Sequence, residues 1–449
     1  MGTLPLGEIQ GLVLRSYGMN ALRLFILRVA DPASARKILG ALPVTSGAPW
    51  STKPDFCVNV ALTYEGLSAL QIPAASLGTF PPEFAEGAVK RADIVGDTGP
   101  NAPTTWKPEF TGDGVHVIVL LFAQTKDILE AQTTQLRALW SKPLALSEVY
   151  VLESGMLPNE LAHFGYRDGF SQPTIEGGLP NPVPDVLPKS PAGAFILGYP
   201  SQYDQFSYPV PQPDQLGVNG SFLALRILQQ DCAAFDKMLN EAPRKYGISG
   251  ELLAAKMCGR WRNGVPLSVS PDTDTPAQPI PLDQMNNHDY VPTPEYPQMH
   301  DDSKGYRCPI GSHMRRANPR SSVIAGGSGL KRRIVRRGLP YGPVFDPANP
   351  NDGIERGLLG IFIGVSLKDQ FEFLMAQWIN GDTFAPGLRG TRDPVLGGSG
   401  PGEPALTVPV QGANKLAISG FSQLVTTRGG AYGFLPSISA LQYIAGINL

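Results

Sequence analysis

Apolar and polar positions come in blocks along the first third of the chain, and each block has its own period. The run ALRLFILRVA (21–30) is almost continuously apolar, with branched and aromatic members, which suits a buried strand. Asp31 and Pro32 follow as a helix N-cap and a first helical residue, so PASARKILGAL (32–42) is predicted to be a short helix. DFCVNVAL (55–62) reads as a second strand and YEGLSAL (64–70) as a short helix. GVHVIVLLFAQ (114–124), KDILEAQTTQLRAL (126–139) and SEVYVLE (147–153) then read as strand, helix and strand. The order is β-α-β followed by β-α-β. It predicts an α+β fold of the ferredoxin-like kind, an α/β sandwich with an antiparallel sheet.

Residues 154–215 are rich in glycine and proline. SFLALRILQQD (221–231) then opens a second strand-helix series, and ELLAAKMCGRW (251–261) reads as a helix. The stretch 266–305 is rich in Pro, Asp and Asn, lacks apolar periodicity, and is expected to be a long surface loop. GLLGIFIGVSL (357–367) is a strand, KDQFEFLMAQWIN (368–380) a helix, and GGAYGFLPSISALQYIA (429–445) a strand, a turn and a helix. The expected division is therefore a ferredoxin-like unit over 1–155, a connecting segment over 156–215, and a second ferredoxin-like unit over 216–449 carrying the 266–305 insertion.

Composition narrows the function classes. The 449 residues are 42% hydrophobic and 17% charged, a globular balance, and the net charge of −2 supplies no global field for nucleic acid or a membrane surface. Cys57, Cys232, Cys258 and Cys308 form no C-x-x-C pair, which argues against a zinc ribbon or a disulfide framework. No basic leader with an apolar core and no apolar run of about 18 residues is visible, so the chain reads as soluble and cytoplasmic.

The chemistry-bearing motifs are few. The histidines are His116, His163, His288, His300 and His313, and none lies in an H-E-x-x-H spacing. Neither a phosphate-binding G-x-x-x-x-G-K-[ST] loop nor a G-x-S-x-G elbow occurs. His313 sits in RCPIGSHMRRANPR (307–320) among Arg307, Arg315, Arg316 and Arg320. A lone histidine is more often structural, and a basic cluster is more often a solvated face. One imidazole with nearby guanidinium forks is also what iron and the propionates of a haem need. In KRRIVRRGLPYG (331–342), Arg336 and Arg337 are consecutive, so on a strand they point to opposite faces, one toward a buried site and one toward solvent. Asp168 in AHFGYRDGFSQP (162–173) lies before a glycine, where a turn aspartate is the ordinary reading. With Arg336 it would also supply a proton carrier and a cation, the two things needed to break a peroxide O–O bond.

Taken together these segments resemble the dye-decolorizing peroxidases. FGYRDGFSQP resembles the family's G-x-x-D-G motif on Gly165, Asp168 and Gly169. RCPIGSHMRRANPR resembles its proximal-histidine segment, and RRIVRRGLPYGP its distal-arginine segment. EIQGLVLRSYG, ERGLLGIFIGVSLKDQFEFLMAQWIN and TTRGGAYGFLPSISAL are similar to its opening and C-terminal pieces, in order, over about residues 8 to 445. The chain length and the insertion before RCP point to a longer-chain subgroup. The resemblance implies two ferredoxin-like domains, with one haem b held mainly by the second. It implies His313 as iron ligand, Asp168 as distal acid/base and Arg336 as distal cation. Arg320 would lie near a propionate, Gly169, Phe170 and Leu358 near the cofactor, and Asp393 on the other nitrogen of His313. The implied partners are hydrogen peroxide and bulky aromatic donors such as dyes and phenols. These would be oxidised in one-electron steps by an oxoferryl intermediate, with Tyr341, Trp378 and Trp261 as candidate electron relays. No nucleic acid or membrane partner is expected, and an oligomer is compatible.

Two departures from the family pattern stand out. Gly360 occupies the second position of the Leu-x-Phe pair that begins at Leu358, which predicts a wider distal pocket. Gly433 and Phe434 stand where two aromatics are usual, which also bears on the expected pocket shape. An aspartate that must be ionised to accept a proton predicts an activity optimum on the acid side of neutral. The alternatives are a haem-handling protein with little turnover and an α+β binding protein without haem. Presence of both a distal acid and a distal arginine favours the peroxidase, because a carrier needs neither.

Overall fold

The computed structural model describes all residues except 1–2, 142–143, 170, 184–188, 202–205, 283–284, 287–289, 292–300, 321–328, 399–402, 409–415, 421 and 448–449. The first strands are β1 (Ala21–Val29), β2 (Phe56–Leu62), β3 (Val117–Ala123) and β4 (Leu146–Gly155). Helix α1 (Pro32–Ala41) follows β1, and α2 (Lys126–Ser141) lies between β3 and β4. Asp31 caps α1 by accepting from the Ser34 N–H, with Pro32 in the first turn, as the sequence signals predict. The apolar run of β1 is buried from Ala21 to Leu27 because the strand is central, flanked by β3 and β4.

The second half supplies β5 (Ser221–Gln230), β6 (Val335–Arg336), β7 (Leu339–Tyr341), β8 (Gly357–Gly364) and β9 (Val425–Leu435). Its helices include α3 (Cys232–Tyr246), α4 (Gly250–Cys258), α5 (His313–Ala317) and α6 (Ile438–Gly446). The expected helix after β8 is wound as π-helix over Leu367–Glu372 and Leu374–Ile379.

Among the described residues all nine of these strands form one sheet, in the order β4-β1-β3-β2-β9-β5-β8-β6, with β7 also on β8. With the short neighbours β6 and β7, both paired to β8, counted as one broken edge strand, each half repeats the order fourth-first-third-second in its own strands. The halves meet where β9 reaches β2, with Phe434 opposite Leu62. Gly433 is part of this seam. A Cβ there would lie 2.9 Å from the Ala61 Cβ, so the glycine permits the close approach of β9 and β2. Phe434 is fully buried against Phe80 and Phe222. This corrects the expectation that these two positions shape a cofactor pocket: they shape the junction of the sheet.

The stretch 266–305 is not simply a surface loop. Leu267, Asn286, Tyr290 and Asp302 are buried. Polar residues without periodicity can be buried when their hydrogen bonds are satisfied, and here buried arginines satisfy many of them. Arg315 donates to the Asp302 carbonyl at 2.8 Å and lies 4.1 Å over the Tyr290 ring. Arg320 donates to the Asn286 carbonyl at 2.9 Å.

Candidate active site

His313 opens α5, one residue after Ser312. Its Nδ1 meets Asp393 Oδ2 at 2.9 Å, which leaves Nε2 as the ring nitrogen turned away from the carboxylate. Asp393 is fully buried, and its other oxygen accepts from the N–H groups of Val395 (2.9 Å) and Leu396 (2.7 Å). Burial alone would raise this carboxyl, but the His313 ring, the Leu396 N–H and Arg316 outweigh it and hold Asp393 below the usual carboxylate range. Burial likewise works against the imidazolium of His313, and Asp393 more than offsets it, so the ring titrates above its ordinary value. Such an arrangement fixes the tautomer and makes the free nitrogen a better donor to a metal.

The arginines around His313 are not a solvated face. Arg315 and Arg316 are fully buried. Arg316 donates to the carbonyls of Trp378 (2.8 Å) and Gly381 (3.0 Å) and to Thr391 Oγ1 (2.9 Å). Together they fasten α5 to the π-helical segment and to the buried part of 266–305. The sequence carries no local signal for this, because the partners lie far away in the chain.

The Asp168 loop is anchored by its aromatics. Phe164 stacks on Phe235 with ring centroids 4.4 Å apart, and the Tyr166 hydroxyl donates to the Ala254 carbonyl at 2.7 Å. Gly169 has φ +93°, a left-handed conformation that favours glycine. Asp168 is thereby left exposed, with its Oδ1 accepting from the Gly169 N–H at 2.7 Å. Arg336 Nη1 is 3.8 Å from the same oxygen, and the two side chains are 40% and 57% exposed for Arg336 and Asp168 respectively.

Gln172 is a site residue that the sequence reading missed. Its amide nitrogen donates to the Arg336 carbonyl (2.9 Å), and its oxygen accepts from the Arg336 N–H (3.1 Å). This two-way bond sets the Asp168 loop against β6. Asp168, Gly169, Gln172, Arg336 and Leu358 line a cavity of about 120 Å³. That size suits a peroxide or a few waters.

Arg337 does point away from Arg336, but toward protein and not toward solvent. It is buried and donates to the carbonyls of Leu12 (2.8 Å) and Val13 (3.4 Å), and burial pushes it down to about 9. A charged residue on the inner face is tolerated because backbone carbonyls of the N-terminal segment receive its protons.

Arg320 lies on a left-handed backbone (φ +55°), unusual for a side chain of this size. It also donates to Ser171 Oγ at 3.1 Å, so it bridges Asn286 to the Asp168 loop. Arg260 is a second missed residue. Burial and the charges of Arg320 and Arg336 push it down to about 10, so three guanidinium groups act on one another here. The remaining expected residues fall as follows. Tyr341 is buried, with its hydroxyl donating to Glu355 Oε1 at 2.9 Å, and Trp378 and Trp261 are buried. His116 and His163 are buried outside the cavity lining, and Phe170, His288 and His300 lie outside the described residues.

The donor set fits a haem. His313 offers one orientated nitrogen, and its side chain keeps 27% exposure although Asp393 behind it has none. Among the described residues, the Nε of Arg320 and the Nδ2 of Asn286 are buried without a hydrogen-bond partner, the type of donor that a propionate carboxylate satisfies. Smaller opposing effects on the His313 ring come from Arg336, which disfavours its charged form, and from Asp168, which favours it.

At Gly360 the space of the missing side chain is not empty. The ring of Phe362, two residues on and on the same face of β8, lies where a side chain at 360 would begin: a Cβ on Gly360 would be 2.8 Å from Phe362 Cε2.

The chain is similar to known proteins over nearly its whole length. Residues 43–156 match the model described as the DyP dimeric alpha+beta barrel domain. The dye-decolorizing peroxidase AauDyP1 of Auricularia auricula-judae is 30% identical over 461 residues, covering 97% of this chain and 86% of that protein. Peroxidase 2 of Mycetinis scorodonius is 29% identical, covering 98% and 87%. The multifunctional dye peroxidase DyP2 of an Amycolatopsis strain is 27% identical, covering 97% and 95%. The crystal structure of a fungal DyP-type peroxidase from Auricularia auricula-judae superposes with a TM-score of 0.82 at 27% identity, over 99% of this chain and all of that one. The chain belongs to the dye-decolorizing peroxidase family. It is a peroxidase, and its cofactor is haem.

Proposed function

We propose that this protein reduces hydrogen peroxide with Asp168 as the proton carrier, Arg336 as the charge-stabilising group and His313 as the iron ligand. The observation that carries the reading is the pairing of Asp168 with Arg336 at 3.8 Å in the wall of one small cavity. When bound, haem supplies the redox chemistry, taking oxidising equivalents from peroxide and releasing them one electron at a time to donors.

The chain's own residues do the rest. His313 would hold the iron with the nitrogen that Asp393 leaves free, and Asp393 would keep that nitrogen basic and fix the ring. Arg320 and Asn286 would hold a haem propionate. Gly169 and Leu358 flank the space beside the Asp168 side chain. The Asp168 carboxylate takes the proton from the near oxygen of peroxide and returns it to the far one, which leaves as water. Arg336 stabilises the negative charge that grows on the departing oxygen. Gln172 keeps the two groups in register.

Bulky aromatic donors such as dyes and phenols are oxidised without entering this cavity, with Tyr341 and Trp378 as relays. The hydrogen bond from Tyr341 to Glu355 supports that role, since it gives the phenolic proton a place to go when an electron leaves. Within the chain, 1–155 and 216–449 act as two α+β units joined by 156–215, the second holding haem, a division supported by the repeated strand order. A cytoplasmic location is supported by four free cysteines. Among the described residues no helix is long and apolar enough to cross a membrane.

The test is a stopped-flow spectrum of the haem-loaded protein mixed with peroxide. The expected result is a rapid change in the Soret band that reverses when an aromatic donor is added, with an activity optimum on the acid side of neutral. Haem retention with no spectral response to peroxide would favour the haem-handling alternative.

A further inference from the structure

The side chains on one face of β8 are Leu358, Gly360, Phe362 and Gly364, and this is the face that carries the distal groups. Arg336 on β6 is the cross-strand partner of Phe362, so the two side chains leave the sheet on the same side. Leu358, on that same face, lines the cavity with Asp168 and Arg336. Phe362 sits on a strand with neighbours on both edges, yet its ring is only half-buried.

The ring is held in place from two sides. On one it stacks on Phe371 of the π-helical segment, with centroids 5.5 Å apart and planes 28° from parallel. On the other it leans over Gly360, where an added Cβ would meet its Cε2 at 2.8 Å and its Cζ at 3.1 Å. The cross-strand neighbour of Gly360 is also firmly held. Arg226, opposite Gly360 on β5, is buried and bound at both ends of its guanidinium to Asp97 at 2.5 Å. Gly360 is therefore not an opening in the wall. It is the space that lets Phe362 form the wall.

We propose that Phe362 is a specificity-determining residue: its ring limits the size of molecule that can occupy the space beside Arg336. The inference rests on the reading of this site as the distal side of a haem peroxidase. It assigns the size limit to a position two residues beyond the one that the family pattern indicates.

The test uses the ferric holoenzyme and two iron ligands of different size, imidazole and 4-phenylimidazole, titrated by the Soret shift. Phe362→Ala is expected to improve 4-phenylimidazole binding relative to imidazole on the order of tenfold, the scale of a hydrophobic pocket's size discrimination. Phe362→Leu, which keeps an apolar side chain against Phe371, is expected to fall between. The kcat/KM ratio of cumene hydroperoxide to hydrogen peroxide should move in the same direction. Ratios in both variants equal to the wild type would overturn the assignment. A wild-type holoenzyme whose Soret band ignores imidazole would instead sink the underlying reading of the site, so the two failures are told apart.

Discussion

The two sides of the proposed haem site are built on opposite plans. Around His313 the supporting groups are buried and multiply bonded: Asp393 accepts three hydrogen bonds, and Arg315 and Arg316 are each fully enclosed. Around Asp168 the groups are exposed and loosely paired, and what order there is comes from the backbone and from Gln172. The difference follows from the work each side is proposed to do. A metal ligand must hold one orientation, and a buried carboxylate provides that. A proton carrier must be reached by a small substrate and must change its protonation within each turnover, which a sealed, fully bonded carboxylate cannot do.

The comparison can be broken most directly on the buried side. His313→Ala removes the proposed ligand, and the expected outcome is loss of the normal Soret band and of peroxidase activity together. Asp168→Asn attacks the exposed side and should separate those readouts. The Soret band remains, while the rate of reaction with peroxide falls by about 10²- to 10⁴-fold in stopped flow, the range for a general acid–base group. Equal effects on both readouts would erase the distinction between the two sides.

Asp393→Asn tests whether the buried support tunes the ligand. Haem affinity or peroxide reactivity should fall by roughly 10- to 100-fold, the range for an outer partner of a metal-bound histidine. Gln172→Ala is the smallest expected change. Losing both hydrogen bonds to Arg336 should slow the peroxide reaction by no more than about thirtyfold, on the basis of roughly 1 kcal/mol for each bond, with haem affinity unchanged. A drop as deep as that of Asp168→Asn would mean that Gln172 does more than hold the loop in register.

Much of this was legible along the chain. Segment periodicity predicted β1 to β5, β8 and β9, because a strand buried by its neighbours needs only the right local pattern to be recognised. Asp31 and Pro32 announced α1 because a cap is a contact over three residues. Asp168, Arg336 and His313 stood out by residue type and by resemblance to a family, and their short surroundings were intact.

What the chain did not reveal depends on partners far away in sequence. Arg315, Arg316 and Arg337 looked like solvated charge, yet each is buried among carbonyls or carboxylates from distant segments. The 266–305 stretch lacked any apolar period, and part of it is buried with its carbonyls bound by Arg315 and Arg320. Gly360 suggested an empty space, and only the packing of β8 against β6 and the π-helical segment shows Phe362 filling it. By itself, then, the sequence determined the strand–helix order and the chemical types of the groups to be brought together. Tertiary structure decided which of them are buried, which are exposed, and that Phe362 takes up the space beside Gly360. The reason is physical: element type follows from local periodicity, whereas the fate of a charged or aromatic side chain follows from what the fold sets against it.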